Sequence, residues 1–179
     1  MRLTVARLAQ KLELTLGLVK PDVASKPEVV KAIREAIIKK NFYFANTRML
    51  TLSQADAESF YGEHKGKFFF PELIAFMTSG PIFAHVLARD NAIKEWRALM
   101  GPTKPSQARK DAPQTLRAQF GTEDTFNAVH GSDSPMSAAR EVGFYFPDFN
   151  VDEWFVKQEP AFAKGEVSFD EKTCIHVPK

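Results

Sequence analysis

The chain has 179 residues, 26% of them charged, and a formal net charge of only +2. That length supports one domain with a substantial core, and the near balance of charge removes any general demand for nucleic acid or a membrane surface as partner. A single cysteine, Cys174, excludes an internal disulfide, fits a reducing compartment and argues against structural zinc, while no run approaches the roughly 20 apolar residues of a membrane span.

MRLTVARLAQKL carries Arg2, Arg7 and Lys11 before the first acid, Glu13, and Leu3, Leu8 and Leu12 share part of a helical face. Residues 1–11 are therefore either a weak targeting segment or a plain basic lead into the first strand. Leu12, Leu14, Leu16 and Leu18 then alternate with Glu13, Thr15, Gly17 and Val19, the period of a strand that KPD at 20–22 ends. Lys20 sits at its tip.

Pro27 opens a helix with Val30, Ile33 and Ile37 on one face and a stop at Asn41. Residues 42–52 read as a second strand, and Ser53 with Asp56 forms an N-cap pair for a helix to Tyr61. Pro71 starts a further helix that buries Leu73, Ile74, Phe76 and Met77, and IFAHVLA at 82–88 reads as a third strand. Asn91 is expected to cap a helix to Met100, followed over residues 102–114 by a long proline-containing loop. TLRAQF gives a helical turn, NAVH a fourth strand, and Ser134-Pro135 the cap and first residue of a last helix to about Phe146. Beyond it lies a tail with one short helix. This order predicts an α/β sandwich whose sheet is mostly antiparallel, with interleaved ferredoxin-like halves.

His130, ahead of Gly131, Ser132, Asp133 and Ser134, is a strand-end imidazole backed by a glycine turn and a helix N-terminus, a place suited to anions. Pattern alone leaves two readings open: a nucleophile or acid/base group, or a plain strand end beside a helix cap. Arg97, Lys104, Arg109, Lys110 and Arg117, against Asp111 alone, suit phosphates or make a solvated basic face. KFFFP at 67–71 supplies either core or a ring for a nucleobase. His85 reads as a core histidine, His64 and His176 stand apart, and none of the four histidines has metal-ligand spacing to another. Neither a P-loop nor a dinucleotide-binding glycine motif is present.

Together LVKPD at 18–22, FYGEHKGKFFFPELIAFMTSGP at 60–81, LMGPT at 99–103, TLRAQFG at 115–121 and NAVHGSDSPMSAARE at 127–141 resemble the nucleoside diphosphate kinases, in family order. The wording of GPT, EHKGKFFF and YFPDF is most similar to the group II branch, its sixth, mitochondria-associated member above all. The resemblance implies a ferredoxin-like βαββαβ sandwich, a four-stranded antiparallel sheet covered by helices. It spans a kinase domain at 12–147, with 148–179 as a C-terminal extension.

It further implies ping-pong transfer of the γ-phosphate from a nucleoside triphosphate to a diphosphate through phosphorylated His130, with Mg²⁺ held mainly by the nucleotide. By position, Lys20 and Asn127 would meet the ribose, Arg97, Thr103 and Arg117 the phosphates, and Phe69 and Leu73 the base. Tyr61, Ser132 and Glu141 would attend the imidazole. Three departures stand out. Thirteen residues, 104–116, separate Thr103 from Arg117, a lengthening of the loop that helps the family form hexamers, so homo-oligomerisation is open. Phe126 stands where arginine is usual, and Asp124 where an apolar residue closes the cleft. The lengthened loop and the longer C-terminal tail support an alternative reading, a nucleotide-binding regulatory module of low intrinsic activity that acts through a protein partner. Nucleic-acid binding by residues 104–117 ranks last, and the location implied is mitochondrial, with the cytoplasm as alternative.

Overall fold

The computed structural model describes residues 12–179; the reading of 1–11 as lead or targeting segment lies outside them. Strands Glu13–Val19 (β1), Tyr43–Leu50 (β2), Ile82–Arg89 (β3) and Val129–Gly131 (β4) form one sheet in the order β2-β3-β1-β4. Every neighbouring pair is antiparallel. With the helix Pro27–Lys39 between β1 and β2 and the helix Ala92–Met100 between β3 and β4, this is the ferredoxin-like βαββαβ arrangement.

β1 is central, so both of its faces are covered. Leu14, Leu16 and Leu18 enter one core with Phe60, Phe76, Met77 and Tyr145, and Val19 enters a second with Ile33, Ile37, Phe42 and Trp96. Burying each leucine fully contributes roughly 1.5–3 kcal/mol. Gly17 belongs to the second face because a Cβ there would lie 2.9 Å from Leu87 and 3.2 Å from Trp96. The missing side chain lets the indole close onto the sheet.

Two serine caps form as the sequence indicates. Ser53 Oγ accepts from the Asp56 amide at 3.1 Å, and Ser134 forms a capping box with Ser137, with Pro135 opening the helix Pro135–Tyr145. Asn91 does not act as expected. It lies in the left-handed region (φ 50°) and its side chain caps nothing; it serves the turn after β3, a conformation that asparagine tolerates. Glu13, distant in sequence, accepts from the Ile93 amide at 2.9 Å instead.

Within the stretch 102–114, expected as an ordered or semi-ordered loop, Pro105–Asp111 is a helix. Pro105 opens it, where a missing N–H is harmless, rather than breaking it. Ala108 is fully buried, and Arg109 donates to the Gly121 carbonyl at 2.9 Å, tying this segment to the helix Leu116–Phe120. The tail holds two helices, Val151–Lys157 and Glu159–Lys164, and a hairpin of Val167–Asp170 (β5) and Ile175–Pro178 (β6). Trp154 and Phe162 enter the first core, and His176 Nδ1 accepts from the Phe44 amide of β2 at 2.9 Å. Several short elements divide these apolar residues, so no single period announces them. Among the described residues no helix is long and apolar enough to cross a membrane.

Candidate functional site

A cleft of about 910 Å³ opens where β1 and β4 end, and His130, Glu141, Tyr61 and Lys20 line it. Pairing of β4 with β1 sets His130 opposite Leu18, between the buried Val129 and Gly131. The Trp96 indole N–H donates to the His130 carbonyl at 3.1 Å. Gly131 has a different purpose from the turn expected of it: a Cβ there would lie 2.4 Å from Trp96 Cδ1 and 2.5 Å from Nε1. The left-handed residue of this segment is Ala128, at φ 69°.

His130 Nε2 lies 3.2 Å from Glu141 Oε2, and the fully buried Ser132 donates to the same oxygen at 2.6 Å. Burial opposes ionisation of Glu141, but the bond and charge of His130, followed by the Ser132 bond, outweigh it and hold the carboxyl below its ordinary range. An ionised carboxylate at Nε2 keeps the ring proton there. Nδ1, which makes no hydrogen bond among the described residues, retains its lone pair. Phe60 and Tyr61 meet the ring edge-on at 5.5 and 6.2 Å, limiting its rotation.

At the end of β1, Lys20 Nζ donates to Asn127 Oδ1 at 2.8 Å and lies 5.8 Å from the centre of the Phe76 ring. Asn127 in turn donates to the carbonyls of Thr103 (3.1 Å) and Asp124 (2.9 Å). Burial first, then the charge of Arg117, lower the Lys20 ammonium to about 7 against the opposing pull of Asp22. Arg117 is fixed by bonds to the carbonyls of Gly101 and Val129, at 2.9 and 3.1 Å, while its Nε has no partner. Burial and nearby Arg97 bring it down to about 10, so it stays cationic at neutral pH. Arg97 and Thr103 line the same end of the cleft.

The other end is more open. Phe69 and Leu73 line it, and Phe69 meets the His64 ring at 5.5 Å. Of the three phenylalanines in KFFFP, Phe68 projects at the lip, 96% exposed. The cleft therefore gathers Lys20, Tyr61, Phe69, Leu73, Arg97 and Thr103 with Arg117, Asn127, His130 and Glu141, and Ser132 joins through Glu141.

Sequence reasoning missed three residues. Trp96 gave no signal, because its contact with His130 joins a helix to a strand distant in sequence. His64 was set apart, yet it lines the cleft with its ring 6.2 Å from Tyr61, and its spacing of three residues from that tyrosine was the available clue. Asp22 was quoted within KPD without a role. Its Oδ2 accepts from the Ala128 amide at 2.9 Å.

The nucleoside diphosphate kinase family model matches residues 13–151. The chain is 44% identical over 173 residues to nucleoside diphosphate kinase 6 of Danio rerio, spanning 97% of this chain and 98% of that protein. Against nucleoside diphosphate kinase 6 of Homo sapiens the identity is 42%, covering 97% of this chain and 93% of that one. A crystal structure of the Aquifex aeolicus nucleoside diphosphate kinase superposes with a TM-score of 0.71 at 43% identity, covering 75% of this chain and 95% of the other. A cleft that joins a clamped histidine to buried cations, on this fold and in this sequence company, identifies the chain as a member of the nucleoside diphosphate kinase family.

Proposed function

We propose that the chain is an active nucleoside diphosphate kinase that carries the γ-phosphate on His130. The observation that supports this best is the Ser132–Glu141–His130 chain, which holds the ring proton at Nε2 and leaves Nδ1 nucleophilic. Nδ1 attacks the γ-phosphorus, the bond to the β–γ bridging oxygen breaks, and the diphosphate leaves with that electron pair. The reverse step delivers the phosphoryl group to a second diphosphate. A phosphoimidazole is a high-energy link, so the exchange is nearly isoenergetic, which a serine ester would not permit.

Lys20, Arg97 and Arg117 supply positive charge where the phosphoryl oxygens gather it, and Thr103 adds a hydroxyl contact. Asn127, held by two carbonyls, offers a fixed amide to the ribose. The buried Tyr61 hydroxyl has no partner and stands available beside the imidazole. Among the described residues no group of three His, Cys, Asp or Glu side chains is arranged to hold a metal ion. Lys20, Arg97 and Arg117 suit the phosphates rather than a metal, so Mg²⁺ would arrive bound to the nucleotide and would offset part of the phosphate charge. Phe69 stacks on the base without reading its edge, so the four bases serve alike.

The test is transfer of label from γ-labelled ATP with Mg²⁺. Wild type acquires acid-labile phosphate on His130 and passes it to GDP, whereas His130→Ala loses the reaction by roughly 10³-fold or more. Wild-type protein that stays unlabelled, alone and with its captured partners, overturns the reading. It then leaves the partner-dependent module motivated by the lengthened 104–116 segment and the tail. Resemblance to the sixth branch carries the proposed mitochondrial location, with cytoplasm as the alternative; fractionation of tagged protein decides.

A further inference from the structure

Asp22 is a half-buried acid at the edge of the site that the mechanism above does not use. Its Oδ2 accepts from the Ala128 amide at 2.9 Å, and Lys20 N–H donates to the Ala128 carbonyl at 2.8 Å, so the KPD segment grips both polar groups of that residue. Ala128 needs such a grip. It is a non-glycine residue at φ 69°, a conformation that costs about 1–2 kcal/mol and persists only where surroundings enforce it. On either side of it lie Asn127 and, two residues on, His130. The second carboxyl oxygen, Oδ1, is buried without a hydrogen-bond partner. An unsatisfied oxygen of this kind is costly, which argues that its charge is used.

We propose that Asp22 is a positioning residue: its carboxylate fixes the Ala128 turn that sets Asn127 and His130, and supplies negative charge two residues from Lys20. The two roles meet in one side chain because Lys20 bridges back to Asn127 at 2.8 Å. The charged groups acting on Lys20 are Arg117 and Asp22, and Asn127 and Phe76 face it as neutral groups. Burial raises the Asp22 carboxyl above its ordinary value, opposed by the Ala128 amide bond and by the charges of Lys20 and Lys26. Burial and Arg117 push the ammonium toward its neutral form near pH 7, and Asp22 is the group that resists. The phosphate-binding role of Lys20 rests on the proposed kinase reaction, whereas the control of its charge does not.

The sign follows from the lysine: it is charged below its midpoint and neutral above it, so losing Asp22 moves the loss of charge to lower pH. Asp22→Asn keeps an oxygen for the Ala128 amide and removes only the charge. In the full-length protein, ¹³C-labelled lysine assigned by Lys20→Arg titrates near pH 7 in wild type and about one unit lower in Asp22→Asn. The alkaline limb of kcat/KM for His130 phosphorylation moves with it, which at pH 7.5 is a loss of roughly fivefold to tenfold that shrinks toward pH 6. Asp22→Ala, which also frees the amide, loses activity at every pH and lowers Tm.

An unchanged Lys20 titration in folded Asp22→Asn overturns the charge role. Full activity in folded Asp22→Ala overturns the positioning role. The lysine titration needs no turnover, so a wild-type protein without kinase activity would defeat the kinase reading and leave this test standing.

Discussion

The two ends of the cleft are built differently. At the phosphate end Lys20, Arg117, Asn127 and Glu141 are buried, and each is tied to main chain or to another site residue by bonds between 2.6 and 3.2 Å. At the base end Phe68 stands in solvent, and the Lys104–Asp124 pair at the mouth spans 3.7 Å with both side chains more than 60% exposed. Transfer of a phosphoryl group needs charge and geometry fixed before substrate arrives, because reorganising them during reaction would raise the barrier. Accepting any base requires only a π face and room. In the proposed reaction, rigidity is concentrated where the phosphoryl group would move and is absent where base selectivity would otherwise arise.

The strongest way to break this contrast is at the clamp. Glu141→Gln presents an amide to Nε2 and no longer dictates the ring tautomer, so phosphorylation of His130 falls by roughly 10²-fold while nucleotide affinity is retained. Stopped-flow single turnover separates the two quantities. Stability changes as well. The folded carboxyl ionises below its ordinary value of 4.5, so its contribution is complete above that pH and is lost as pH falls through the lower folded value. Wild type and Glu141→Gln therefore differ in Tm at neutral pH and converge in acid. Equal single-turnover rates would mean that the imidazole needs no orienting carboxylate.

That clamp also marks how much the sequence disclosed. The helix opened by Ser134-Pro135 was legible because local rules of capping govern it, whereas Glu141, seven residues on, was legible only through the resemblance of NAVHGSDSPMSAARE to the family. The alternation of β1 was legible through its local period. Gly131 and Gly17 were read locally, yet both lack a side chain because Trp96 packs against them from another element. Asn91 failed as a cap because Glu13 supplies an acceptor from β1. Pro105 opens a helix that its proline-rich neighbourhood concealed. For the two glycines and Asn91 the deciding atom lies far away in sequence, where propensity and periodicity have no reach. The tail shows the same limit, since Trp154 and Phe162 find their core only after the sheet exists.

A smaller effect sharpens the base end. Phe69→Ala removes the stacking ring and weakens nucleotide binding by about 1–3 kcal/mol, alike for ADP, GDP, CDP and UDP. Calorimetric titration of the four diphosphates measures it. A loss confined to one base would show that this end reads base identity, and would erase the contrast between the two ends.

The smallest effect belongs to the ion pair at the mouth. Lys104 and Asp124 are both mostly exposed, 3.7 Å apart, and screened by water, so their coupling is worth about 0–1 kcal/mol. Lys104 precedes the helix Pro105–Asp111, and the Asp124 carbonyl already accepts from Asn127, so the loop is held by its main chain whether or not the pair forms. A double-mutant cycle of Lys104→Ala and Asp124→Ala, read as Kd for ADP at low salt and again near 1 M salt, gives a small coupling that vanishes under screening. A coupling above about 2 kcal/mol that persisted in salt would require a desolvated latch. The base end would then be as fixed as the phosphate end, and its openness could no longer account for tolerance of every base.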